Sequence, residues 1–113
     1  MEKPHFGKCP HAAEAKSLLR DALPVARSTF GADHYLTLNI QGNCALALIH
    51  DLNATKNDEK EGFKMLEAIA RTSRRVFGRN HPQTVEALRD VERSRAIIDR
   101  RRPKLDLAEL PGY

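Results

Sequence analysis

Residues 30–38 read FGADHYLTL, and residues 77–85 read FGRNHPQTV. The two stretches lie 47 residues apart, and their Phe, Gly, His and Thr positions are identical. The segments before them align at the same offset without a gap, so that Leu19 falls on Leu66 and Ala22 on Ile69. A fixed period of this size indicates a repeat protein, in which one structural unit recurs along the chain.

Each copy predicts a helix, a tight turn and a second helix. Gly31 and Gly78 can take the positive φ that ends a helix. Asp33 and Asn80 are then the expected N-caps of the following helices, and Pro82 falls in a first turn, where its missing N–H costs nothing. Before each turn, apolar residues recur at helical spacing: Ala15, Leu18, Leu19, Ala22, Leu23, Ala26 and Phe30 in the first copy, and Phe63, Leu66, Ile69, Ala70, Val76 and Phe77 in the second.

The second helices of the two copies differ in character. The helix from about His34 to Asp51 is apolar on most sides, so we expect neighbours to cover more than one of its faces. The helix from about His81 to Arg101 is far more polar, as is typical of the last helix of a stack. Its residues expected to be buried are Val85, Leu88, Val91, Ile97 and Ile98. The predicted fold class is all-α, with two antiparallel helix-turn-helix repeats, and hence four main helices, stacked as a short α-solenoid.

The predicted organisation is an irregular segment at residues 1–11, a two-repeat domain at 12–102 and a tail at 103–113. Repeat 1 is placed at about 12–52 and repeat 2 at about 58–102, with a loop at 52–58 between them. Asp58 and Glu61 form a capping-box pattern at the start of the third helix. Pro24 is expected to bend the first helix without ending it, because the apolar stripe continues past it. The LDLAEL stretch of the tail is of a kind that can pack back on the body as a turn of helix.

These motifs resemble the kinesin light chain type of tetratricopeptide repeat. The family's turn reads roughly LGxxHPxTL, which residues 30–38 and 77–85 follow in order and spacing. The resemblance covers about residues 12–101. It departs in the inserted loop, in Tyr35 where the family has Pro, and in the family's Asn-Asn pair, of which only Asn43 remains, with Asp90 at the matching place of the second copy. The resemblance implies a scaffold that binds a protein or peptide on a concave groove and is not an enzyme.

Composition narrows the class without naming a partner. The 113 residues suffice for one domain, and a net charge of +4 is too small to indicate nucleic acid by itself. Cys9 and Cys44 lie in unlike contexts, which favours a reduced, intracellular chain. The sequence has no apolar run of bilayer length and no signal-peptide pattern at its start, so we expect a cytoplasmic protein.

Several residues invite a sharper interpretation. His34 and His81 could form a metal-binding or pH-sensitive pair, but their recurrence in the turn favours imidazoles that cap or pack across it. His5, Cys9 and His11 could bind zinc, but no second cluster completes a recognised site. The RRRPK stretch at residues 100–104 is interpreted as a solvated helix end rather than a phosphate site. Cys44 is expected to be a buried core thiol. We therefore predict no catalytic residue, no metal site and no cofactor.

The predicted partner is a protein or an acidic peptide. The basis is that the first helix of each repeat is expected to line the concave face, where cationic side chains off the apolar stripe suit an acidic peptide. The candidate binding residues are Lys16, Arg20, Arg27, Asn43, Lys64, Arg71 and Arg74. Because two repeats are few for a solenoid, a homodimer or neighbouring repeats are also considered. The alternative is a nucleic-acid-associated helical protein that uses its arginine clusters, which we favour less.

Overall fold

The computed structural model describes residues 12–101, which form four α-helices. These are α1 (Ala12–Phe30), α2 (Tyr35–His50), α3 (Lys56–Phe77) and α4 (Pro82–Arg101). No strand occurs in this part of the chain. Short turns join α1 to α2 and α3 to α4, so the predicted fold class of two stacked helix-turn-helix units is confirmed. The predicted segments at 1–11 and 103–113 lie outside the described residues.

The turns after α1 and after α3 have the same geometry, but their N-cap residues differ from the predicted ones. Gly31 and Gly78 have φ of +100° and +93°, which L side chains rarely adopt. The N-cap of α2 is His34 and not Asp33, since the His34 Nδ1 accepts a hydrogen bond from the Leu36 N–H at 3.1 Å. His81 does the same for the Gln83 N–H at 3.0 Å, in place of the predicted Asn80. Imidazole can supply the acceptor because its Nδ1 reaches the N–H two residues on.

Each capping histidine also packs on the phenylalanine that ends the preceding helix. The His34 ring lies 5.1 Å from that of Phe30, and the His81 ring lies 4.8 Å from that of Phe77. Capping and packing across the turn are the roles that the recurrence of the histidines favoured. Phe30 is nevertheless 47% exposed, so its predicted place in the buried stripe is wrong. It ends α1 and covers the turn instead of facing α2.

The loop between the repeats is shorter than predicted, and α3 begins earlier. Thr55 is the N-cap of α3: its Oγ1 accepts from the Asp58 N–H at 3.0 Å, and the Asp58 carboxylate accepts from the Thr55 N–H at 3.2 Å. The predicted box of Asp58 with Glu61 is therefore wrong by three residues, because Asp58 closes the box rather than opening it. Lys16 of α1 also contacts Asp58, at 2.9 Å, and lowers the pKa of that carboxyl.

The helix α2 lies at the centre of the described chain. It packs against α1 on one side, against α3 on another and against α4 on a third, as its apolar composition predicted. Leu48 and Ile49 have no solvent exposure. One cluster of buried residues joins α1 to α2 around Ala15, Cys44 and Leu48, which confirms Cys44 as a core thiol. A second cluster joins α2, α3 and α4 around Ala45, Ile49 and Leu66.

The outer helices fit the predicted stripes less completely. Pro24 does not interrupt α1, which is continuous from Ala12 to Phe30. Val76 and Leu88 are exposed, contrary to the predicted burial, whereas the buried positions of α4 are Thr84, Ala87 and Ser94. Small residues occupy these positions because α4 lies close to its neighbours there, and close approach leaves no room for longer side chains.

The repeated threonine of the turn motif has a structural role. The Thr37 side chain is buried, and its hydroxyl donates to the Ala26 carbonyl oxygen at 3.4 Å. In the second repeat, Ser73 corresponds to Ala26 and Thr84 corresponds to Thr37, each 47 positions later, and both are also buried. Both positions are thus buried in each repeat.

Gly62 marks the crossing of α2 and α3. A Cβ placed on it would lie 2.7 Å from the Ala45 carbonyl oxygen and 2.9 Å from the Ile49 Cγ1. The first of these neighbours is backbone, which cannot turn aside. The absence of a side chain at Gly62 therefore lets the two helices approach as closely as they do.

We predict that Gly62→Ala destabilises the fold by about 1–3 kcal/mol. The overpacking cost exceeds the roughly 1 kcal/mol that alanine ordinarily gains over glycine inside a helix. The matched control is Gly42→Ala in α2, where the nearest atom, Ile69 Cδ1, is 3.7 Å away and leaves room. Chemical denaturation monitored by circular dichroism measures both. A Gly62→Ala chain as stable as Gly42→Ala would contradict the close crossing.

Candidate functional site

A groove of about 160 Å³ lies between α2 and α4, with α3 as its floor. Leu66 and Ile69 of α3 supply apolar floor residues. The helices α2 and α4 run side by side, as shown by the 3.1 Å hydrogen bond from Gln83 Nε2 to Asn39 Oδ1 near their first turns. By contrast, α1 and α3 are joined mainly through long side chains such as Lys16. The groove thus lies where the second helices of the two repeats run side by side.

The two walls of this groove carry different polar groups. The wall from α2 presents the carboxamides of Asn39 and Asn43, whereas the wall from α4 presents the carboxylates of Glu86 and Asp90. The two walls correspond to each other in the repeat: Glu86 lies 47 positions after Asn39, and Asp90 lies 47 positions after Asn43. Amides can both donate and accept hydrogen bonds, and ionised carboxylates can only accept. The stacked repeats therefore offer a neutral wall opposite an acidic one.

Arg93 partly neutralises the acidic wall. Its Nη2 lies 2.9 Å from the Glu86 Oε2 and 2.9 Å from the Asp90 Oδ1. The side chain of Asp90 is only 18% exposed. Burial raises its pKa, the nearby Glu86 raises it further, and Arg93 opposes both effects. Arg89 also pairs with Glu86, with its Nη1 4.0 Å from the Glu86 Oε1, so two exposed arginines flank the two carboxylates.

The far end of the groove region is fixed by Arg101. Its guanidinium donates to the carbonyl oxygens of Ile49 and His50 at the end of α2, where helical carbonyls lack partners within the helix. It also pairs with Glu59 of α3 at 3.0 Å, and Glu59 is almost fully buried. Burial, followed by the charge of Arg101, lowers the pKa of His50. Arg101 thus ties the end of α4 to both α2 and α3.

The structure separates the predicted binding residues into two sets. Asn43 lines the groove between α2 and α4. The six cations lie elsewhere, exposed on α1 and α3: Lys16, Arg20, Arg27, Lys64, Arg71 and Arg74. Lys16 is engaged by Asp58, and Arg20 bonds to Asp21 and Ser17. A role for these cations in binding remains a prediction.

The sequence reasoning did not select four polar groove residues, namely Asn39, Gln83, Glu86 and Asp90. The signal was present in the 47-residue offset, since it pairs residue 39 with 86 and residue 43 with 90. The offset does not show, however, that the second helices of the repeats, and not the first, lie side by side across a groove.

The other candidate sites are placed as follows. His5, Cys9 and His11 lie outside the described residues, as do residues 102–104 of the basic stretch. Within residues 12–101, no group of three His, Cys, Asp or Glu side chains is arranged to hold a metal ion. In the same range, no helix is long and apolar enough to cross a membrane.

Comparison with known proteins gives one match. Residues 11–35, which include α1 and the first turn, match the family model described as tetratricopeptide repeat. No curated protein and no solved structure matches the chain. The family typically consists of non-enzymatic scaffolds that mediate protein–protein interaction. The match, together with the second copy of the same turn at residues 77–85 and the four stacked helices, supports a tetratricopeptide repeat protein.

Proposed function

We propose that this chain is a protein-interaction scaffold that holds an extended peptide segment of its partner in the groove between α2 and α4. The observation that carries the proposal is the opposition of a carboxamide wall, Asn39 and Asn43, to a carboxylate wall, Glu86 and Asp90. An extended peptide has unpaired backbone N–H and C=O groups along its length. Carboxamides can satisfy both kinds of group, whatever the peptide's sequence.

The acidic wall gives the groove a preference for peptides that carry a positive charge. A lysine or arginine of the peptide, or a free amino terminus, would pair with Glu86 and Asp90 beside Arg93. Because Asp90 is largely buried, such a pair is screened less by water than one on the open surface. The favoured partner segment is therefore basic at one position. The acidic peptide expected from the sequence would instead use the cations of α1 and α3, so the two hypotheses predict different ligands and different sensitive residues.

Selection from a display library of short peptides separates these hypotheses. We expect the peptides retained by the chain to be enriched in lysine or arginine at one position. Asn43→Ala and Asp90→Asn should each weaken their binding by roughly tenfold, which corresponds to the loss of about 1.4 kcal/mol from one well-placed polar contact. Fluorescence anisotropy with labelled peptides measures the affinity, and circular dichroism verifies the fold of each variant.

The matched control reverses charge on the outer helices. The double variant Arg20→Glu and Arg74→Glu should leave the affinity for these peptides within about a factor of two, as expected of distant, screened charges. Loss of binding in this control, with Asn43→Ala and Asp90→Asn unaffected, would contradict the groove and favour the cations of α1 and α3. Steeply salt-dependent binding to duplex DNA or RNA would instead favour the nucleic-acid alternative.

The groove should also respond to pH. The pKa of Asp90 is raised by burial and by Glu86, so this carboxyl takes up a proton at a higher pH than an exposed aspartate. A bound cation needs the ionised form, so affinity for a lysine-containing peptide should fall as pH falls through that raised pKa. A charged His50 lowers the pKa of Asp90 and so opposes this protonation in part. Anisotropy titrations across acidic pH measure the effect, and Asp90→Asn should flatten the profile; an unchanged profile in that variant would assign the titration to another group.

A further inference from the structure

The second repeat contacts the first through one side of α3 and α4. Three positions on this side are buried in the cluster that α3 and α4 form with α2, a fourth packs on the cluster that α1 and α2 share, and a fifth donates a hydrogen bond to the Asn39 carboxamide of α2. In that order they are Leu66, Ile69 and Ala87, then Met65, then Gln83. These positions mark the side of the second repeat that faces the first.

The matching positions of the first repeat form an apolar face. They lie 47 residues earlier, all of them are apolar and none is fully buried: Leu19, Ala22, Ile40, Leu18 and Leu36. Leu36 is 37% exposed, and Val25, which follows Ala22 by one helical turn on the same side of α1, is 62% exposed. We call these six residues the α1/α2 face. No helix in the part of the chain that the structure describes lies over it.

The far side of the second repeat does not complement the α1/α2 face. The helix α2 meets α3 at three small or apolar positions: Gly42, Ala45 and Ile49. The matching positions of α4, 47 residues later, are all exposed, and two of them are charged: Arg89, Glu92 and Ala96. Stacking the α1/α2 face of one copy on α4 of another would bury both charged side chains without a matched partner, which is costly. Head-to-tail stacking of copies is therefore disfavoured.

We propose that the α1/α2 face binds the same face of a second copy of the chain across a two-fold axis. Such an isologous contact sets apolar residues against apolar residues in both copies. The charges beside the face already neutralise each other, since Arg20 Nε lies 3.0 Å from Asp21 Oδ1 and both side chains are exposed. The polar outer side of α4 stays in water, so the assembly closes at two chains.

The area of the face is sufficient for a specific contact. The helix α1 has 19 residues and hence a length of about 28 Å, and the neighbouring helices α1 and α2 together are about 20 Å wide. Two copies that meet on this face therefore bury about 1,100 Å² in total, above the roughly 1,000 Å² that a specific interface needs. This area is at the low end of such interfaces, so we expect a dimer that dissociates in the micromolar range.

Sedimentation equilibrium of the full chain across the micromolar range tests the proposal. We expect monomer and dimer, and no larger species. Val25→Glu should raise the dissociation constant about a hundredfold, because each interface contains the substitution twice and each copy costs about tenfold. Val25 is exposed in the single chain, so the fold should tolerate the change, and circular dichroism verifies this. Leu36→Glu should act in the same direction from α2.

The matched controls place the same substitutions outside the α1/α2 face. Val76→Glu on α3 and Leu88→Glu on α4 alter side chains that are 41% and 46% exposed, and both should leave the dissociation constant unchanged. A chain that stays monomeric across the whole range overturns the proposal, as does equal weakening by Val25→Glu and Val76→Glu. Species that grow beyond two chains as concentration rises, and that Leu88→Glu dissolves, would also overturn it and would identify head-to-tail stacking instead.

Discussion

The close crossing of α2 and α3 at Gly62 is the constraint on which the rest of the structure depends. With no side chain at Gly62, the backbone of α3 approaches the Ala45 carbonyl and buries Ile49. This contact joins the two helical hairpins, because α2 belongs to the first repeat and α3 to the second. It also places α3 beneath α2 and α4, where Leu66 and Ile69 become the floor of the groove. The site is therefore a consequence of how the repeats stack, and neither hairpin forms it alone.

Much of the fold could be predicted because its determinants are local. The spacing of apolar residues predicts the helices, and the glycines at 31 and 78 predict where α1 and α3 end. The apolar surround of α2 predicts its central position. Two errors concern the helix caps: His34 caps α2 in place of Asp33, and Thr55 opens the capping box in place of Asp58. Local sequence permits either residue in each case, and the path of the chain selects one. The others concern burial, since Phe30, Val76 and Leu88 are exposed.

The candidate site was harder to predict because it depends on which helices face each other across the repeats. Periodicity identifies the apolar side of a helix but does not say which of its polar edges will meet a neighbouring repeat. The cations of α1 and α3 attract attention in the sequence because they are numerous. Asn39 and Glu86 can be recognised as groove residues only when α2 and α4 are known to run side by side. The 47-residue offset already pairs Asn39 with Glu86, but only the stacking of the helices shows that these two positions lie on opposite walls of one groove.

Native-state hydrogen exchange most directly tests the claim that α2 is the shared core of both repeats. The account predicts that the amides from Cys44 to Ile49 exchange slowest, with the protection of the globally unfolding molecule, and that residues of α3 around Gly62 share that protection. The ends of α1 and α4 should exchange faster through local opening. A contradicting result would be α2 amides that exchange as fast as those ends, or two hairpins that open independently of each other.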